Sequence, residues 1–303
     1  MSKPRYIMVN DELVAYDDAC VHLLSPTVKY GALVFEGLRA YWNAEKEQLY
    51  VFRLNDHFKR FHHTLKAVRF DARYETARLV AIVKEVLEAN EIRDDVHMRV
   101  SAYLEGGGLY DATGPVSLMC AAYARRSSPI EEKVLKAGVV SWRRIDDASM
   151  PPRLKVAANY HNARLGILEA RANGYDEAIF LTASGKITEG PGSCLLIVRD
   201  GVLVSPTVTD GILESVTRAT VLDLAHELGI PTQERPVDRT ELYFAEEAFF
   251  CGTGVEIQPV SEVDRLVIGD GKIGKITRKI WMAYEDLVRG RSETHQAWLT
   301  SVY

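Results

Sequence analysis

The stretch "RLKVAANYHNAR", Arg153 to Arg164, sets Lys155 between Leu154 and Val156, ahead of a polar helix start at Asn159, Tyr160 and His161. An ammonium group taken out of water is costly unless it is paired or loses its proton, so a lysine in apolar company has two readings. One is a snorkelling lysine at a strand end. The other is an amine held neutral so that it forms an imine with a carbonyl cofactor.

Four further features bear on that choice. The helix start in "LESVTR" offers the hydroxyl of Ser215, the backbone N–H groups of Val216 and Thr217, and the positive end of a helix dipole. In "CGTGVE", Thr253 lies between Gly252 and Gly254, where backbone can approach an anion closely. Arg60 in "HFKRFHH" has the fork to grip a phosphate, and Glu189 in "KITEGPGS" is a carboxylate followed by Gly190, Pro191 and Gly192. Each has an ordinary alternative: a helix cap, a turn or bulge, a surface arginine, a solvated turn residue. With Lys155 they make up the parts a pyridoxal phosphate site needs, namely an imine-forming amine, donors for the phosphate and a carboxylate that keeps the pyridine nitrogen protonated. Tyr160, at the start of the next helix, is placed to hydrogen-bond the cofactor's phenolic oxygen and lower the imine's proton affinity. On release, Lys155 would be the base that moves a proton between the substrate α-carbon and C4′ of the cofactor.

The elements that must position these residues point to two domains, as 303 residues exceed the usual limit of one hydrophobic core. Composition is ordinary, with 47% hydrophobic and 26% charged residues, and a net charge of −5 supplies no basic field for nucleic acid. Cys20, Cys120, Cys194 and Cys251 lie far apart, so neither a metal site nor a disulfide framework is expected; they read as small core residues in a reducing compartment. Asp11 and Glu12 precede any apolar run, and none approaches a membrane span, so the expectation is a cytoplasmic protein with no membrane partner.

"RYIMVNDELVAYDDA" alternates around Asn10-Asp11 and predicts a hairpin, and "LVFEGLRAYW" with "QLYVF" predicts a second. A helix follows, with Asn55 as N-cap and Phe58, Phe61, Leu65 and Val68 inward, then another with a stripe of Ala77, Val80, Val83 and Val86. Strands "HMRVSAYL" and "VSLMCAAYA" complete an α+β domain over residues 1–125, and polar "RSSPIEEK" at 126–133 reads as a linker. Residues 134–303 form the second domain. It should contain a strand in "VLKAGVVSW", a helix from Asn159 to Gly174 and an antiparallel meander of "EAIFLT", "KITEG" and "SCLLIV". Next come a helix from Ser215 to Gly229, a strand interrupted at Gly252-Thr253-Gly254, and a helix around "ITRKIWMAYEDLV".

Six segments together resemble fold-type IV pyridoxal-phosphate enzymes and, within them, branched-chain amino acid aminotransferases: "VKYGALVFEGLRAY", "HFKRFHHT", "RLKVAANYHNARLGILEARANGYDEAIFL", "ITEGPGSCLLIV", "GILESVTRATVLDLAHELGI" and "AEEAFFCGTGVEIQPV". The resemblance implies the D-amino acid aminotransferase-like fold, with two α/β domains and the cofactor, pyridoxal 5′-phosphate, at their interface. It makes Lys155 the Schiff-base lysine, Tyr160 the partner of the cofactor oxygen and Glu189 the partner of the pyridine nitrogen. Arg60, Ser215, Val216, Thr217 and Thr253 become the phosphate site, and Thr253 and Gly254 also offer N–H groups to the substrate carboxylate. Tyr30, Phe35, Gly37 and Arg39 line the side-chain pocket, and Arg99 receives the distal carboxylate of 2-oxoglutarate or glutamate. A pocket that takes leucine in one half-reaction and glutamate in the other needs apolar walls and one reachable charge.

The sequence departs from the family pattern at His97, where a tyrosine is usual; an imidazole can donate to a carboxylate and can titrate near neutrality. The loop "LEGGGLYDATGPVS" departs too, in a region that reaches the neighbouring subunit's site in this family. The expected activity is reversible transfer of the amino group of L-leucine, L-isoleucine or L-valine to 2-oxoglutarate through pyridoxamine phosphate. Its partners are small amino acids and 2-oxo acids, and the family forms homodimers or larger homo-oligomers. D-amino acid or (R)-amine transamination and aminodeoxychorismate lysis occur on the same fold, and a catalytically silent cofactor carrier is the non-enzymatic alternative.

Overall fold

The structure is a computed structural model that describes residues 3–303, divided into two compact units. The first comprises residues up to Ser127 together with Leu154–Ala158 and Asp286–Tyr303; the second comprises Ser128–Arg153 and Asn159–Glu285. The continuous second domain expected from 134 to 303 differs from this division, because Leu154–Ala158 and the chain end are hydrogen-bonded within the first unit.

In the first unit, strands β1 (Tyr6–Val9) and β2 (Glu12–Ala15) form the expected hairpin. Asn10 and Asp11 carry φ values of 49° and 67°, the two left-handed residues of a primed turn that matches strand twist. After a short helix α1 (Pro26–Tyr30) come β3 (Leu33–Asn43) and β4 (Gln48–Phe52), helices α2 (Leu54–Ala67) and α3 (Thr76–Ala89), and strands β5 (Val96–Leu104) and β6 (Val116–Ala124). With β15 (Leu299–Ser301) they build an antiparallel sheet in the order β15-β4-β3-β5-β6-β1-β2. One face, with Val34, Leu38, Met98 and Val100, packs on Phe58, Phe61 and Leu65 of α2 and Ile82, Val83 and Val86 of α3.

Two local expectations are corrected here. The N-cap of α2 is Arg53, in the left-handed conformation, rather than Asn55: Arg53 pairs with Asp56 at 2.6 Å and covers the Trp298 ring, and the chain enters the helix through it. The buried stripe of α3 is Leu79, Ile82, Val83, Val86 and Leu87, with Ala77 exposed, because the larger Leu and Ile side chains win the sheet-facing positions.

In the second unit, the expected linker ends in a 3₁₀ turn that buries Ile130. Strand β7 (Leu135–Arg143), helix α4 (Tyr160–Ala172) and strand β8 (Glu177–Leu181) form a parallel β-α-β arrangement. Strands β9 (Cys194–Arg199) and β10 (Val202–Ser205), helix α5 (Val216–Glu227), strand β11 (Thr232–Glu234), helix α6 (Arg239–Tyr243), strands β12 (Glu247–Gly252), β13 (Glu256–Val263) and β14 (Leu266–Val267), and helix α7 (Lys275–Val288) follow. The sheet order is β11-β10-β9-β12-β13-β7-β8, with β14 on β13.

The expected meander is absent from this unit. β8 takes the edge beside β7, while β9 pairs with β12, and "KITEG" contributes only isolated bridges such as Leu181 with Ile187 and Glu189 with Cys194. Nor is Gly252-Thr253-Gly254 an interruption within one strand; it opens the turn between antiparallel β12 and β13. Gly166 shows why α4 lies tight on the sheet: a Cβ there would come within 2.2 Å of the Phe180 ring.

Candidate active site

Strand β3 explains the composition of "FEGLR". Its period of two puts Phe35, Gly37 and Arg39 on the face away from α2 and α3, and Glu36 on the face toward the helices. Antiparallel pairing sets Arg99 opposite Gly37 and His97 opposite Arg39, so these five residues expected in the substrate pocket share one face. Gly37 makes room there, since a Cβ would meet the His97 imidazole at 3.1 Å. Arg39 is buried and donates to Ser127 Oγ at 2.9 Å. The His97 ring lies 5.2 Å from Tyr123, and its buried Nδ1 has no hydrogen-bond partner among the described residues. Burial, with the charges of Arg125, Arg39, Arg99 and Lys155, pushes the imidazole down to about 3, so the expectation that it titrates near neutrality does not hold.

Lys155 belongs to the same unit. Its carbonyl accepts the Phe35 N–H at 3.0 Å, Val156 bridges Val34, and the Lys155 N–H approaches Thr64 Oγ1 of α2 at 3.5 Å. The side chain is half-buried, with Nζ 5.0 Å from the centroid of the Phe35 ring, while the Arg99 guanidinium lies 3.7 Å from that same centroid. Tyr30 lies on α1 rather than on a strand of this sheet. It ends α1, is 44% exposed and meets Tyr110 edge-on at 6.3 Å.

Arg60 lies on α2 and is gripped by Glu36: Nε donates to Oε1 at 2.8 Å and Nη2 to Oε2 at 2.6 Å. His57, one turn earlier, meets Oε2 at 2.9 Å. Burial pushes the Glu36 carboxyl up, but Arg60 and His57 outweigh it and bring the group down to about 2. Glu36 and His57 were absent from the sequence-based site. The signal available was a carboxylate inside an apolar strand, which needs a cation on the element packed against it.

The second unit holds the other expected residues. Tyr160 opens α4, 37% exposed, beside Gly192, whose added Cβ would lie 4.0 Å from its ring. Glu189 is 4% exposed rather than a solvated turn residue. Arg144 donates to its Oε1 at 2.6 Å, and Oε2 accepts the Leu213 N–H at 3.1 Å and the Cys194 thiol at 3.7 Å. Arg144 was also missed, and nothing in its local sequence, "SWRRIDD", marks it. Ser215 caps α5 by accepting the Arg218 N–H at 3.2 Å, and the first-turn N–H groups of Val216 and Thr217 have no intrahelical acceptor. Thr253 comes to this helix start, with its Oγ1 3.4 Å from Thr217 Oγ1, and Gly254 follows in the same turn. Gly252 lets that turn close on "GPGS", since its Cβ would stand 3.3 Å from the Gly192 carbonyl.

The four cysteines are free. Burial raises the Cys120 and Cys251 thiols to about 12 and Cys194 well above its ordinary value, which removes them as nucleophiles; Cys20 is exposed, contrary to its expected core position. Among the described residues no helix is long and apolar enough to cross a membrane.

Residues 33–263 match the model of the family described as amino-transferase class IV. The chain is 38% identical to a probable branched-chain-amino-acid aminotransferase of Aquifex aeolicus, over 96% of this chain and 95% of that protein. It superposes with a TM-score of 0.93, at 42% identity, on the branched-chain aminotransferase of Thermoproteus uzoniensis crystallised with norvaline, covering 99% of this chain and all of that one. The branched-chain amino acid aminotransferase of Thermobaculum terrenum in its PLP form gives a TM-score of 0.93 at 38% identity, with both chains covered fully. The expected fold class is thereby met, and the chain belongs to the class IV amino-transferases.

Proposed function

We propose that this protein is a pyridoxal-phosphate-dependent branched-chain amino acid aminotransferase, moving the amino group of L-leucine, L-isoleucine or L-valine reversibly to 2-oxoglutarate. The observation that carries this reading is the Phe35 ring, with the Lys155 amine 5.0 Å and the Arg99 guanidinium 3.7 Å from its centroid. One apolar platform thus serves a reactive amine and a cation for an acidic side chain.

The residues present fit the cofactor. An α5 start whose first N–H groups have no intrahelical acceptor, with two threonine hydroxyls 3.4 Å apart, suits a phosphate, and a buried carboxylate fed by Arg144 suits a pyridinium. Arg60, Ser215, Val216, Thr217 and Thr253 would hold the phosphate, Glu189 the ring nitrogen and Tyr160 the phenolic oxygen. Pyridoxal 5′-phosphate supplies a carbonyl for amines to attack and a ring that takes up the electron pair left on the substrate α-carbon.

The protein's own part is to place and move protons. Lys155 would hold the cofactor through its amine and, once that amine is free, would carry the proton off the substrate α-carbon. Glu189 would hold the proton on the cofactor's ring nitrogen. Phe35 and Gly37 present the apolar wall, with Tyr30 at its outer edge, and Arg39, His97 and Arg99 present the polar end that receives the distal carboxylate. Thr253 and Gly254 bind the α-carboxylate through backbone N–H groups.

We also read the protein as cytoplasmic and as a homodimer or larger homo-oligomer. Free cysteines support a reducing location, and exposed Leu23, Leu24, Leu109 and Tyr110 support self-association. The test of activity is glutamate formation from L-leucine and 2-oxoglutarate, with initial rates at several fixed co-substrate concentrations. Parallel double-reciprocal lines support the two-step transfer. Absence of glutamate would contradict it.

A further inference from the structure

Resting on the reading of Arg60 as a phosphate ligand, we propose that Glu36 is a positioning residue that sets the plane and place of the Arg60 guanidinium for the cofactor phosphate, with His57 as its backstop. Glu36 is fully buried, on the side of β3 that otherwise carries Val34, Leu38 and Ala40. An apolar side chain there would avoid the desolvation of a carboxylate, so stability alone gives little reason for a charge. The geometry gives another reason. Both Glu36 oxygens take parallel donors from Nε and Nη2 of Arg60, which holds the guanidinium in one plane. The buried His57 ring meets Oε2 at 2.9 Å, a third contact on the same carboxylate.

The same turn of helix reaches Lys155. Thr64, four residues after Arg60, donates to the Arg60 carbonyl at 3.0 Å, and its Oγ1 stands 3.5 Å from the Lys155 N–H. Glu36 therefore anchors, from one strand position, the arginine of the phosphate and the helix against which the lysine segment lies. Its neighbours Phe35 and Gly37 face the substrate, so the five residues "FEGLR" serve both ends of the site from opposite faces of a strand.

The experiment compares pyridoxal 5′-phosphate with pyridoxal, which lacks the phosphate, as ligands of the full-length protein after resolution of its cofactor, by equilibrium dialysis. Glu36→Gln should bind pyridoxal within about twofold of wild type but pyridoxal 5′-phosphate about 10- to 100-fold more weakly, the size of a lost charge-assisted contact. Equal weakening of both ligands would mean a merely structural role and would overturn the proposal, as would unchanged binding of both. Arg60→Met separates this inference from the reading beneath it. If that variant keeps the wild-type preference for the phosphorylated form, Arg60 is not a phosphate ligand and the proposal falls with it. If it loses the preference while Glu36→Gln keeps it, only the positioning role fails. Should Glu36→Gln not fold, Glu36→Asp, which keeps the charge but is too short for the fork, is read in the same way.

Discussion

Lys155 and Phe35 are joined twice: the Phe35 N–H donates to the Lys155 carbonyl at 3.0 Å, and the Lys155 amine stands 5.0 Å from the centroid of the Phe35 ring. Backbone and side chain of one strand residue thus locate the lysine proposed to hold the cofactor. Phe35→Leu keeps an apolar side chain of nearly the same size but removes the ring face offered to Lys155 and Arg99. It should lower kcat/KM for L-leucine about tenfold, a loss on the scale of one reshaped apolar contact, as measured by steady-state kinetics. The circular dichroism of the variant should match wild type.

Lys155→Ala should lower turnover by roughly 10³-fold or more, since both the cofactor bond and the proton carrier are lost. Borohydride reduction of the wild-type protein followed by peptide mass spectrometry should find the reduced cofactor on the peptide bearing Lys155. The same treatment of Lys155→Ala should leave every peptide unmodified.

The Arg144–Glu189 pair, 2.6 Å apart and with side chains 8% and 5% exposed, predicts a non-additive stability effect. Arg144→Met strands a buried carboxylate and should destabilise the protein by about 3–5 kcal/mol. Adding Glu189→Gln should recover part of that, giving a coupling energy of about 1–3 kcal/mol in a double-mutant cycle followed by urea unfolding. Glu189→Gln alone should retain cofactor and slow the half-reaction with L-leucine.

His97 predicts a pH dependence. Burial and the surrounding cations lower its pKa from 6.5 to about 3, so between those values the unfolded chain binds a proton that the folded chain refuses. Stability therefore falls as pH drops through that window, by at most roughly 1.4 kcal/mol per pH unit from this group. Unfolding of His97→Tyr across the same pH range should show a shallower slope than wild type; an equal slope would mean that His97 does not titrate in this window on unfolding.

Where local pattern decides structure, the chain was readable in advance. Asn10-Asp11 dictates a left-handed turn, the spacing of Phe58, Phe61 and Leu65 dictates the inward face of α2, and Ser215 caps α5 as its hydroxyl requires. Long-range pairing was not readable. "EAIFLT" and "SCLLIV" look like neighbours in a meander, yet β8 is drawn to β7 and β9 to β12, a choice made by residues far away in the chain. The site divides in the same way. Lys155, Glu189 and Thr253 are marked by their unusual surroundings in sequence, whereas Arg144 acquires its role only when folding brings it 2.6 Å from Glu189, 45 residues on. Glu36 lies between these cases, because its charge inside an apolar strand signals a need for a partner without naming Arg60.

The most direct measurement of the central claim is a single half-reaction on the cofactor-loaded protein, following the cofactor's visible absorbance with L-leucine, D-alanine and (R)-1-phenylethylamine in separate cuvettes. The account predicts rapid conversion to pyridoxamine 5′-phosphate with L-leucine and none with the other two. Conversion with D-alanine or the amine in place of L-leucine would contradict it, leaving the Lys155 chemistry but assigning the Phe35–Arg99 face to a different substrate.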